Sequence, residues 1–252
     1  MIYRLVLKRT LDLLVSSLGL IILSPILLSF SIIIYLNDFE SPFYIAPRVG
    51  KGSKLFNIIK FRSMIVNADK SKVDSTGSND IRITPIGHII RKYKLDEFTQ
   101  LFNVLIGNMS LVGPRPNVKR ETDAYSIKEK MILGVKPGIT DFSSIIFSDE
   151  GEILKESIDP DLDYNQLIRP YKSRFAIFYI ENFNFIIDMK IIILTVLSIF
   201  DREKALIEIN KILLKMEAPL LLTEISLRNT SLKPYAPPGM RSIITTREIN
   251  HD

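Results

Sequence analysis

Cysteine is absent from the sequence, and histidine occurs only twice, at His88 and His251. The first absence excludes disulfides, thiolate zinc sites and a cysteine nucleophile. The second leaves no histidine cluster for a metal. Neither sign of charge dominates: 33 Lys and Arg stand against 28 Asp and Glu, a net charge of +5. That small basic excess suits phosphates or anionic lipid. No nucleic-acid motif accompanies it, so nucleic acid is not an expected partner. Internal repeats are missing too. What remains is 252 residues, 46% of them apolar, enough for one or two domains with a real core and one greasy segment.

That segment is Leu13–Leu36, which carries no charge. As a straight helix it would be about 36 Å long, enough to cross a bilayer. It is too long for a cleaved signal peptide, and no small-residue cleavage site comes after it; a buried core helix is the bland alternative. Ser24-Pro25 lies at its middle. Proline there removes a helix hydrogen bond, so a kink is expected, and serine helps satisfy the freed backbone. A gently kinked helix spans the membrane; a sharply bent one dips in and returns. Lys8 and Arg9 flank the start, while Arg48, Lys51, Lys54, Lys60 and Arg62 come after the end. Positive charge on both sides fits return to the cytoplasmic face. Asp12, at the segment's edge, is expected at the interface.

Phe43–Arg48 and Lys54–Phe61 are apolar, partly β-branched runs around Gly50-Lys51-Gly52-Ser53, the pattern of a β-hairpin. The glycine-containing connection lacks the full phosphate-loop spacing and reads as a turn. Lys60 and Arg62 project from one face of an extended chain, for which a solvated basic edge is the bland reading. Asp69–Asp80 reads as a polar loop. Arg91, Lys92 and Lys94 then place three cations ahead of an acidic pair. His88 sits among apolar neighbours, with no hydroxyl or thiol partner that would make it a base.

The stretch Lys94–Pro116, KLDEFTQLFNVLIGNMSLVGPRP, organises the chain. Leu95, Phe98, Leu101, Phe102, Leu105 and Ile106 keep to one helix face, and Gly107 stops the helix. Asp96, Gln100 and Asn103 form a polar strip along one side. Two prolines stiffen the backbone that presents Arg115. Taken alone, Asp96-Glu97 reads as acids opposing a helix dipole, and Pro-Arg-Pro as a structural turn. Neighbouring helical residues point about 100° apart, so the two carboxylates cannot face one atom and different roles suit them. A guanidinium fork matches phosphate oxygens, which makes Arg115 the best phosphate clamp.

This block resembles the signature of the bacterial sugar transferases, the monotopic phosphoglycosyl transferases. The resemblance runs from about Lys8 to about Leu197 and includes the Lys-Arg pair and the Ser-Pro break of a re-entrant helix. It implies an enzyme that moves a phosphosugar from a UDP-sugar to a polyprenol phosphate, undecaprenyl phosphate, to start a surface glycan. It implies Asp96 as nucleophile on the β-phosphate, giving an aspartyl phosphosugar, with Glu97 assisting the second step or metal binding. Lys60 or Arg62 is implied to hold the diphosphate. Mg²⁺ beside a diphosphate needs only one or two carboxylates, and Asp96 is assigned as its ligand. The implied location is the inner membrane, with the catalytic domain on the cytoplasmic face. The alternative is a catalytically inactive membrane-anchored scaffold, against which retention of Asp96, Glu97 and Arg115 stands.

Gly134–Thr140 is also shared with the family, and its Pro137-Gly138 marks a tight turn. Asp141-Phe142 stands next, where the family commonly has Gly-Trp, which bears on sugar identity. Tyr179–Asn182 and Asp188–Lys190 match as well, but Ala176 stands where many members carry Asp. Glu150–Tyr164 reads as acidic surface. Ile191–Phe200 is too short for a second crossing and is expected along the membrane or in the core. Beyond Asp201 the resemblance fades. Glu203–Met216 has helical spacing, and Ala218–Asp252 reads as an extended tail on the body or on a second subunit, a homodimer. The expected architecture is α+β: a mainly helical membrane-associated body with a small β-hairpin and an N-terminal re-entrant membrane helix. Its parts are that helix (1–40), a catalytic domain (41–200) and a C-terminal helix and tail (201–252).

Overall fold

The protein is described by a computed structural model covering residues 2–68, 75 and 77–246, with side chains from residue 6 onward. Helix α1 (Ile2–Asp38) takes in the whole apolar run. Pro25 does not end it. Proline lacks the N–H that would bond the Ile21 carbonyl, and the Ser24 hydroxyl donates to that carbonyl instead, at 2.8 Å. The helix thus runs through Pro25, with the Ser24 hydroxyl standing in for the lost donor.

Polar groups fasten both ends of α1 to the rest of the chain. Lys8 Nζ donates to Asp188 Oδ2 at 2.5 Å and to the Tyr179 hydroxyl at 3.0 Å. Arg9 donates to the carbonyls of Val104 and Leu105 at 2.6 and 2.9 Å. Asp12 accepts from the Ser110 hydroxyl at 3.0 Å and the Leu111 N–H at 2.9 Å. Asp12 is thus buried inside the protein, 3% exposed, and not at the interface where it was expected; those two donors compensate its lost hydration. At the far end, Arg62 forks onto Asp38 at 2.5 and 2.6 Å. The free flank of α1 is bare hydrocarbon, including Leu14, Leu18, Ile21, Ile22, Leu28 and Leu36. This helix is long and apolar enough to cross a membrane, and so large an apolar surface suits lipid better than water.

Strands β1 (Phe43–Val49) and β2 (Leu55–Phe61) form the expected antiparallel hairpin, with Phe43 opposite Phe61 and Val49 opposite Leu55. Gly52 in the connecting turn takes φ +67°, which glycine adopts without steric cost. The expected loop 69–80 falls largely outside the described residues. Helix α2 (Pro85–Lys92) starts after Thr84, whose hydroxyl accepts the Gly87 N–H at 3.0 Å, with proline where no donor is needed. Its Ile90 packs with Ile34 of α1 and Phe61 of β2.

Helices α3 (Leu95–Phe98) and α4 (Leu101–Ile106) are the single expected helix with a tightened joint. At that joint the Gln100 and Phe102 N–H groups bond three residues back, to Glu97 and Thr99, the tighter helical pattern. Gly107, at φ +100°, ends α4 as expected. Next come β3 (Ser110–Val112), α5 (Lys119–Asp123) and β4 (Gly138–Thr140), with β4 parallel to β3. Gly138 does more than turn the chain: a Cβ there would lie 2.1 Å from the Gly113 nitrogen, so the missing side chain lets two backbones touch.

Short helices α6 (Phe142–Ile146), α7 (Glu150–Ile153) and α8 (Pro160–Asp163) precede the longer α9 (Arg169–Asn182), α10 (Phe185–Phe200) and α11 (Arg202–Lys215), and then α12 (Leu220–Ser226). The main core includes Phe142, Ile145, Phe175, Ile191 and Ile209, and Leu213 and Leu222 join it from α11 and α12. The segment read as an extended tail therefore begins with a helix. Beyond α12 the chain stays on the body: the Tyr235 N–H bonds the Gln166 carbonyl at 3.0 Å, and the Gln166 amide donates to the Ile244 carbonyl at 2.7 Å. In α10, Ile187, Ile191 and Leu194 are buried while Ile186, Ile193 and Phe200 are exposed, so the helix is apolar on both sides. The described residues are α+β, mostly helical with two small two-stranded sheets.

Candidate active site

The open edge of β2 and the α3–α4 pair build the site between them. Asn103 behaves like a piece of strand: its amide donates to the Asn57 carbonyl at 2.7 Å, and its side-chain oxygen accepts the Ile59 N–H at 2.9 Å. The Thr99 hydroxyl donates to the Ile59 carbonyl at 2.9 Å. The polar side of this helix pair is thus a strand-docking face. It sets Lys60, the next residue of β2, against Asp96, with Nζ 3.2 Å from Oδ2. Arg115 Nη1 donates to Glu97 Oε1 at 2.8 Å. The two acids meet different cations, as adjacent helical residues must.

These groups line a cavity of about 560 Å³, within the range of ligand pockets, roughly 300–1,000 Å³. Lys60, Arg91, Lys94, Arg115 and Lys172 give it positive charge, and Ser144, Phe147, Ser148, Asp149 and Tyr164 supply further wall. Burial alone would raise the pKa of Glu97, but Arg115, Lys60 and Lys94 outweigh it and hold the carboxyl at about 2. The Glu97 charge in turn raises the pKa of Arg115. Burial pushes the ammonium groups of Lys60 and Lys94 below their ordinary value, opposed by Asp96 and Glu97 respectively.

Among the described residues, no group of three His, Asp or Glu side chains gathers as a metal cage. A magnesium ion held mainly by substrate phosphates needs only one or two carboxylates. Asp96 and Glu97, both lining the cavity beside phosphate-seeking cations, fit that smaller donor set.

Of the expected site residues, Lys60, Asp96, Glu97 and Arg115 come together. Arg62 does not join them. The strand alternation that would align it with Lys60 stops at Phe61, and Arg62 forks onto Asp38 and donates to the Ser41 carbonyl at 2.8 Å. Its work is to tie β2 to α1. Ala176 lies in an apolar cluster with Tyr125, Ile132 and Ile177, outside the cavity lining. Asp141 caps α6 by accepting the Ser144 N–H at 2.7 Å, and Phe142 is in the core. Neither of these two lines the cavity; Ser144 of α6 and Phe147, just after it, do. His88 is exposed and lines the cavity. Tyr164, Lys172 and the turn around Asp149 reach the site through helix packing, and nothing in their local sequence marks them. Glu150, read as surface, pairs with Lys172 at the cavity.

A family model described as "Bacterial sugar transferase" matches residues 3–202. The chain is similar to a UDP-glucose:undecaprenyl-phosphate glucose-1-phosphate transferase of Klebsiella pneumoniae, 37% identical over 204 residues, covering 79% of this chain and 41% of that protein. It is similar to a UDP-N-acetylgalactosamine-undecaprenyl-phosphate N-acetylgalactosaminephosphotransferase of Aeromonas hydrophila, 30% identical over 195 residues, 76% of this chain and 43% of that one. An exopolysaccharide production protein PSS of Rhizobium leguminosarum bv. phaseoli is 35% identical over 211 residues, 79% of this chain and 98% of its own length. The chain thus spans about two fifths of the first two proteins and nearly all of the third.

Proposed function

Because the chain belongs to the bacterial sugar transferase family, we propose that it is a membrane-seated enzyme that moves a sugar 1-phosphate from a UDP-sugar to undecaprenyl phosphate, initiating a surface glycan. The observation that carries this reading is the meeting of Asp96, Glu97, Lys60 and Arg115 on one cavity of a body fastened to a long apolar helix. In the first step Asp96 attacks the β-phosphorus of the donor; the Asp96 O–P bond forms as the bond to UMP breaks. In the second, an oxygen of the polyprenol phosphate attacks the same phosphorus, and Asp96 leaves as a carboxylate. Both nucleophiles are oxyanions, so positioning and charge neutralisation are the main requirements. Lys60 orients Asp96. Glu97 stays ionised and aims Arg115, whose free N–H groups clamp phosphate oxygens. Lys94 and Arg91 add positive charge for the phosphates. Mg²⁺, held at Asp96, would offset the charge of the diphosphate.

The same reading seats α1 as a re-entrant helix. Lys8, Arg9 and Asp12 at one end and Asp38 at the other bear on one body, which supports both ends lying on one face of the membrane. The basic flanks support the cytoplasmic face of the inner membrane. The lipid acceptor then arrives in the plane of the bilayer.

The test is UMP release by the detergent-solubilised chain with Mg²⁺, undecaprenyl phosphate and a panel of UDP-sugars. At least one sugar is expected to support release, and Asp96→Asn to lower it by roughly a thousandfold or more. Sugar label is expected on the protein when the acceptor is withheld. Full release by Asp96→Asn would overturn the nucleophile assignment.

A further inference from the structure

One wall of the cavity is the turn Phe147–Asp149, between α6 and α7. Two arginines hold it. Arg202 donates to the Ser148 hydroxyl at 2.8 Å and the Ile146 carbonyl at 2.9 Å, and its Nη2 lies 3.0 Å from Asp149 Oδ1. Arg228 reaches the same turn from beyond residue 202, where the family match ends. Its Nη2 is 3.3 Å from Asp149 Oδ2, and its guanidinium lies over the Phe147 ring at 5.5 Å.

Arg228 is an unusual residue. Its side chain is only 10% exposed, and its backbone takes φ +54°, the left-handed region that non-glycine residues avoid. Its Nε and Nη1 have no hydrogen-bond partner among the described residues. Burial, strain and missing partners all disfavour an arginine that serves only itself. Its guanidinium meets Phe147 and Asp149, both cavity-lining residues.

The tail also reaches Phe147 by a second route. Phe147 stacks with Tyr171 at 6.5 Å, and Tyr171 packs on Tyr235 at 5.7 Å. The Tyr171 hydroxyl donates to the Lys233 carbonyl at 2.8 Å, and Arg174 covers the Tyr235 ring at 4.6 Å. A chain of ring contacts therefore runs from Arg228 through Phe147 and Tyr171 to Tyr235, and both of its ends belong to the C-terminal segment.

We propose that Arg228 is a positioning residue that fixes the Phe147–Asp149 wall and thereby sets affinity for the nucleotide-sugar donor, without touching the reacting atoms. The proposal rests on the donor reading given above for this cavity.

The experiment uses the full chain in lipid nanodiscs, with Arg228→Ala and Arg228→Lys. Arg228→Ala is expected to raise the donor KM and the UMP dissociation constant about fivefold. Its kcat and acceptor KM are expected to stay within about twofold, and Arg228→Lys, which keeps the charge near Asp149 but not the flat stack, to recover part of the loss. Backbone hydrogen exchange should quicken across 147–153 and stay unchanged across 95–112. Unchanged UMP affinity and unchanged exchange in Arg228→Ala would overturn the proposal, as would a fall in kcat with donor affinity intact. If Arg228→Ala does not fold, Arg228→Lys carries the same two readouts. If the parent protein neither turns over a donor nor binds UMP, the donor reading fails, and hydrogen exchange alone still decides whether Arg228 braces the wall.

Discussion

Glu97 is a partly buried acid kept ionised by the cations around it, and this links folding to pH. Its carboxyl is held at about 2, against an ordinary 4.5. A depressed carboxyl pKa contributes stability that is fully present above about pH 4.5 and is lost as pH falls towards 2. The contribution is on the order of 3 kcal/mol. Thermal midpoints in detergent should therefore fall more steeply between pH 4.5 and 2 for the parent chain than for Glu97→Gln; parallel curves would show that Glu97 is not so held. Arg115 is the other half of this pair, with its side chain 36% exposed against 16% for Glu97. A lysine there keeps the charge but loses the planar fork. Arg115→Lys is expected to lower UMP release about tenfold and Arg115→Ala about a hundredfold. Equal activity in the two variants would mean that the fork does not matter.

The strand edge and the helix pair depend on each other through Asn103. Asn103→Ala leaves the Asn57 carbonyl and the Ile59 N–H without their side-chain partner. The expected loss is about 2 kcal/mol of stability, together with lower UMP release as Lys60 loses its register against Asp96. A lower thermal midpoint with full activity would separate the edge from the catalytic geometry. The parallel contact of β3 and β4 is stricter. Gly138→Ala sets a methyl 2.1 Å from a backbone nitrogen, so the strands must part and the Arg115 turn must move. Loss of folded protein, or of activity at full expression, is the expected result. The hairpin and the extent of α3–α4 were legible because they rest on local period, and the grouping of Asp96, Glu97 and Arg115 was legible through the resemblance carried by one continuous stretch. The docking role of Asn103 was not, because its partners lie 46 and 44 residues away. Strand alternation groups Arg62 with Lys60, but the strand ends one residue too early. Phe147 just after α6, Tyr164 ahead of α9 and Lys172 within α9 are gathered by tertiary packing, which leaves no local pattern. Helix α12 was not legible because its short apolar run comes after a proline, inside a stretch that otherwise reads as tail.

For the whole molecule, the decisive question is how α1 meets the bilayer. The absence of cysteine makes the chain a ready background for single-cysteine mapping. Tyr3→Cys and Glu40→Cys sit just outside the two fastened ends, and Ile21→Cys sits mid-run on a side chain 70% exposed. In the re-entrant seating, an impermeant maleimide should label positions 3 and 40 from the cytoplasmic side alone, and position 21 from neither side. Labelling of 3 and 40 from opposite sides would sink that seating. The physical argument turns on the polar ties. A spanning α1 would set Lys8 and Asp38 about 45 Å apart along its axis, on opposite sides of a hydrocarbon layer about 30 Å thick. Yet Lys8 is paired with Asp188 and Asp38 with Arg62 on one folded body. Spanning would then break one of these pairs or draw it into lipid, at a cost of roughly 3 kcal/mol or more for each charge. A helix held by ionic ties at both ends, bare between them on its free flank, keeps both pairs when its two ends lie on one face.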